Sequence, residues 1–160
     1  MRVKPVPAPP GSIEELETIR AAVPLVPEPE ERCRERLVSR TEIAPEDTRD
    51  WLAFLRGLGL VHGGESGFYR TREEPDLEDA LLSGVYGARE VDGILEASER
   101  ALSVGETFER FEAIPHWERH HHRDFEGVWR ERIERLVEWL VFVGRAECVE
   151  AGYASRETQR

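Results

Sequence analysis

Several residue types that would decide a function are scarce in this 160-residue chain. Cysteine occurs twice, as Cys33 and Cys148, with no CxxC pair. That excludes a disulfide framework or a zinc ribbon and predicts two buried free thiols. No apolar run approaches the roughly 18 residues a membrane span needs. No basic-then-apolar leader opens the chain, so the cytoplasm is the expected compartment. A glycine-rich phosphate loop, a nucleophile elbow and paired acids at motif spacing are all missing, so no catalytic residue and no enzyme is expected. Six Phe, four Trp and three Tyr limit each core to a small one. The length suits one ordinary domain, or two of about 70 residues.

Lysine is the most conspicuous gap. Lys4 is the only one, beside 21 arginines, and 33 acids against 22 bases leave a net charge of −11. This resembles the composition of proteins that work in molar salt, where net negative charge maintains solubility and salt screens the self-repulsion. A GC-rich genome biased toward arginine produces the same pattern.

The stretch 36–72, RERLVSRTEIAPEDTRDWLAFLRGLGLVHGGESGFYRTR, organises the chain. Pro45 suits a first helical position, where its missing N–H would have had no partner. Glu46 and Asp47 follow where the helix dipole favours negative charge. Trp51, Leu52, Leu55 and Leu58 then repeat at helical spacing, widened by Phe54. Gly59 fits just past the helix end. Leu60-Val61 start a strand, residues 62–67 turn it, and Phe68-Tyr69-Arg70 return it. Upstream, Ser12-Ile13-Glu14-Glu15 is a capping box, and Ile13, Leu16, Ile19, Ala22 and Val23 follow at helical spacing. A second helix from about Glu30 to Ser39 buries Cys33 and Leu37. Residues 1–11, with four prolines, predict a disordered, extended tail.

Three helices followed by a glycine-rich hairpin resemble the winged helix-turn-helix superfamily. The resemblance implies a mainly α fold with small β wings and a module that binds DNA or protein. Residues 12–72 make the first module.

Five acids and Pro75 in residues 73–79 mark a boundary, so 73–87 is expected to be an acidic linker with a short helix. Beyond it, Trp129, Ile133, Leu136, Val137, Leu140 and Val143 form another helical stripe. Shifting the first half by 88 residues lays Trp51-Leu52-Ala53-Phe54-Leu55 on Trp139-Leu140-Val141-Phe142-Val143, with Val61 on Val149 and Gly64 on Gly152. Residues 88–160 are therefore expected to form a second winged-helix-like module, with a His-rich insertion at 112–125. In this register Glu147 replaces Gly59, Cys148 replaces Leu60, and the second wing is shorter.

Within the insertion, His116 and His120 would share a helix face and could chelate a divalent ion, given further ligands such as Asp124 or His62. No other cofactor is expected. An exposed histidine loop and a patch that charges near pH 6 are the alternative uses of this segment. For double-stranded DNA, the third helix would enter a major groove, with the wing on backbone. The candidates are Arg49 and Arg56 on the first third helix, Arg70 and Arg72 on its wing, and Arg123, Arg130, Arg132 and Arg135 near the second. The first third helix sets Glu46, Asp47 and Asp50 against Arg49 and Arg56, a poor match to phosphate-lined grooves, so the second copy looks the more basic. Those arginines could equally pair with neighbouring glutamates as a solvated face. Two functions follow: a DNA-binding transcriptional regulator, or a protein-docking adaptor of the same fold, and either one could act as a homodimer.

Overall fold

The computed structural model describes residues 3–121 and 124–156, without the side chains of His120 and His121. Helix α1 (Ile13–Ala21) starts where the Ser12 hydroxyl accepts the Glu15 N–H at 3.2 Å. The Glu15 carboxylate turns to the Gly11 N–H, so only the serine half of the expected box forms. Helix α2 (Glu30–Arg40) buries Cys33 and Leu37. Burial pushes the Cys33 thiol pKa up, the inert state expected of a packed cysteine. A single 3-10 turn over Pro45–Asp47 leads into α3 (Thr48–Gly57), which buries Trp51, Leu52, Phe54 and Leu55. Strands β1 (Val61–Gly64) and β2 (Gly67–Arg70) pair antiparallel, Val61 opposite Arg70. Their turn is only Glu65-Ser66, tighter than the six residues expected. Glu28 and Phe68 exchange two backbone hydrogen bonds, adding a short third strand.

Helix α4 (Leu77–Gly84) is the linker helix, capped by Asp76. The second module follows as α5 (Ala88–Ala97), α6 (Val104–Arg110), the short α7 (Glu118–His121), α8 (Phe125–Phe142), β3 (Ala146–Val149) and β4 (Gly152–Ser155). The hairpin after α8 has the same four-residue strands and two-residue turn as the first. Leu102 and Tyr153 exchange backbone bonds as Glu28 and Phe68 do.

The repeat is real, but its register is 85 residues, not 88. Gly59 (φ 75°) ends α3 and Gly144 (φ 86°) ends α8; Gly67 (φ 110°) opens β2 and Gly152 (φ 138°) opens β4. The bond from Leu60 N to Leu55 O recurs from Arg145 N to Leu140 O. Only glycine holds such positive φ angles without strain, and these positions fix the frame. Trp139 therefore stands in the place of Phe54, and Leu136 in that of Trp51. Three expectations built on the other register change with it. Gly144 closes the second helix, so no glutamate has to, and the second wing is not shorter. Cys148 falls at Gly63 and is exposed, so only Cys33 is a buried thiol.

The modules share one continuous core. Trp139, 1% exposed, packs at 4.5 Å on Phe54, the rings tilted by 37°, and meets Trp51 edge-on at 6.2 Å. Equivalent residues of the two third helices thus pack on each other. The expected disordered tail lies against this junction. Val6 is buried, Pro7 O accepts the Trp139 Nε1–H at 2.7 Å, and Val3 N donates to Glu118 at 3.0 Å. Prolines hold the segment extended before it docks, so little further conformational freedom is lost. Between residues 76 and 102, Leu81, Val85, Val91 and Leu95 are buried inside the chain.

Candidate docking faces

With the register set at 85, the outward positions of the two third helices can be compared. On α3, Arg49 and Arg56 face outward while Asp50 and Ala53 are half-buried beside the N-terminal segment, and the equivalent positions on α8 are Glu134, Arg135, Glu138 and Val141. Arg49 and Arg56 are exposed, and Arg49 sits 3.7 Å from Glu30 in a solvated ion pair. Such pairs contribute little and open readily. Arg135 is half-buried and held by Glu138 at 2.8 Å and Glu131 at 3.9 Å. The more basic outward face belongs to the first copy, reversing the expectation.

The other arginines do not converge. Arg132, expected at a DNA surface, is buried: its guanidinium donates to Lys4 O and Tyr86 O. Burial pulls its pKa down to about 10, against the charge of Glu118, so it stays protonated at neutral pH. It cannot reach a phosphate without dismantling those bonds. Arg130 lies over the Phe108 ring at 4.9 Å. Arg70 and Arg72 line a cleft walled by Glu14 and Glu17 of α1 and by Glu74, whose lining does not include the α3 arginines. The wing alternates, and Val61 faces the core, so its partner Arg70 is drawn to that side. The opposite face carries His62 and Tyr69, rings 5.3 Å apart. Arg123 lies outside the described residues.

His116 is exposed, and the His120 side chain is not among those described. Asp124, suggested as a further ligand, caps α8 by accepting the Gly127 N–H at 3.0 Å. Among the described residues no group of three His, Cys, Asp or Glu side chains could hold an ion. The insertion is not simply an exposed loop, since Pro115 and Glu118 are buried. Glu118, the first residue of α7, receives the Val3 N–H. Its role was not foreseen from the sequence; the apolar Val3 and the Val6 set between Pro5 and Pro7 were the available signal.

The family model for the halobacterial double winged helix domain matches residues 1–160. The chain belongs to this family. No curated protein and no solved structure matches it. A double winged helix domain has the fold of DNA-binding regulators, here with its two third helices packed on one another. None of its described helices is long and apolar enough to cross a membrane.

Proposed function

We propose that this double winged helix protein is a non-catalytic, cytoplasmic transcriptional regulator that contacts double-stranded DNA through its first module. The observation that carries this is the contrast at equivalent outward positions. Arg49 and Arg56 are exposed on α3, where α8 presents Glu134 and Val141. Two exposed arginines can meet phosphate oxygens and base edges, while a glutamate would meet phosphate oxygens with repulsion. Molar salt weakens the counterion-release term, so a net charge of −11 opposes such binding less than it would in dilute buffer.

The test is a titration of labelled genomic fragments in molar potassium chloride. Changing Arg49 and Arg56 to alanine together should weaken the preferred fragment by at least about tenfold. Changing Glu134 and Glu138 to glutamine should leave it unchanged. A second reading, a protein-docking adaptor, is favoured by the scattering of the remaining arginines and the acidic outer face of α8. Equal weak binding of every fragment, unaffected by either pair of changes, would select the adaptor.

A further inference from the structure

The N-terminal strap occupies its groove like a bound peptide. Lys4 O is held by Arg132 and Pro7 O by Trp139. Those two α8 residues are seven positions apart, about 10 Å along a helix. Three residues of polyproline II cover about 9 Å. The strap therefore runs extended along α8, with its backbone carbonyls read by an arginine and an indole. That is the chemistry by which aromatic-lined grooves take proline-rich segments.

Two features show that the resident segment does not exhaust the groove. Trp129 Nε1 and Arg132 Nε are buried donors with no acceptor among the described residues. Both side chains line a cleft of about 570 Å³ beside the strap. A buried donor without a partner is costly, so an occupant with one more carbonyl in reach would be preferred. The same cleft is edged by Asp47, Asp50 and Glu131, and the strap carries the only lysine of the chain. Lys4 acts electrostatically on Asp50, against the upward pull that burial exerts on that carboxyl.

We propose that the groove between α3 and α8 is a docking site for a proline-rich, lysine- or arginine-bearing segment of a partner protein, covered in the free protein by residues 3–8. The partner displaces the strap and satisfies the donors it leaves open. This holds whether or not the first module touches DNA.

The test uses the full chain and a synthetic peptide copying residues 1–11. Val6→Asp would place a carboxylate beside Asp47, Asp50 and Glu118 and expel the strap. The peptide should then bind at least tenfold tighter than it binds the unaltered chain, since it no longer competes with a tethered copy. In that background Trp139→Phe should weaken it by about two- to tenfold, the worth of one hydrogen bond. A peptide with Pro5 and Pro7 changed to alanine should also bind less well, because it is less preorganised. A folded Val6→Asp chain that ignores the peptide, or binds it no better than the unaltered chain, would overturn the proposal. So would a concentration-dependent dimer of the unaltered chain that Val6→Asp abolishes, because the occupant would then be a second copy's strap. Should Val6→Asp fail to fold, the Trp139 indole N–H resonance of the unaltered chain decides. A saturable shift with millimolar peptide supports displacement, and an unmoved resonance refutes it.

Discussion

The two modules share a backbone and differ in charge. Gly59 and Gly144 end the third helices, Gly67 and Gly152 open the returning strands, and both hairpins receive a short third strand from the loop ahead of the second helix. Around that frame the charged groups change places. In the first module buried Arg20 donates to Leu60 O, Thr71 O and Glu73 O, clasping the hairpin to α1. In the second, the residue at the place of Leu60 is Arg145, and it reaches back to Asp92 of α5 at 2.7 Å. The task is the same, but the cation has moved from helix to hairpin. The outward faces diverge likewise, from Arg49 and Arg56 to Glu134 and Val141. Backbone geometry is what a duplicated fold cannot vary, whereas side-chain charge can drift once each pair is locally satisfied.

The most disruptive way to probe this pairing is to remove the residue where the halves meet. Trp139→Ala takes away a buried ring that touches Trp51 and Phe54 of the other module. It should cost about 3–5 kcal/mol, and denaturant melting should show one transition for both modules. A first module that melts unchanged would mean that the halves are independent. Next, Arg145→Met leaves Asp92, 6% exposed, without its guanidinium and should cost about 3 kcal/mol. Adding Asp92→Leu should recover much of that loss, as replacing both partners does. The glycines supply a matched pair. A Cβ on Gly67 would lie 2.3 Å from Glu28 O and one on Gly152 2.2 Å from Leu102 O. Alanine at either should cost about 1–3 kcal/mol by the same melts. Markedly unequal losses would break the structural equivalence.

Local chemistry made the first module legible: Ser12, Pro45, Gly59 and the spacing of Trp51 to Leu58 each dictate a backbone feature from neighbours in sequence. The duplication was legible for the same reason, but its register was not. Tryptophan is rare enough that matching Trp51 to Trp139 outweighed matching Gly59 to Gly144, a single small residue at the helix end. That error of three residues, nearly one helical turn, kept apolar positions roughly on apolar positions and so concealed itself. The candidate site was less legible. Nothing local distinguishes Arg132, which is buried under the strap, from Arg130, which faces solvent; the difference depends on Val3 to Pro7, more than a hundred residues away. Long-range docking of a proline-rich segment has no periodicity to betray it.

The smallest expected difference lies at the second helices. Helix α6 begins with a complete capping box: the Ser103 hydroxyl accepts the Glu106 N–H at 3.1 Å, and the Glu106 carboxylate accepts the Ser103 N–H at 3.0 Å. Its counterpart α2 begins at Pro29 with no side-chain cap bond. The Arg100 guanidinium beside Glu106, aided by the Ser103 N–H, holds that carboxyl down to about 2. An unfolded glutamate titrates near about 4.3. Because the folded value is the lower one, the stabilisation is fully present above about pH 4.3 and is lost as pH falls toward 2. The 13Cα shifts of Val104–Arg110 should therefore drift toward coil values across that window, while those of Glu30–Arg40 change less. Glu106→Gln keeps the hydrogen-bonding pattern of the box but has no proton to gain, so it should flatten the α6 titration. A drift that persists in the glutamine variant would trace the acid response to something the two modules share, and the capping contrast between them would lose its meaning.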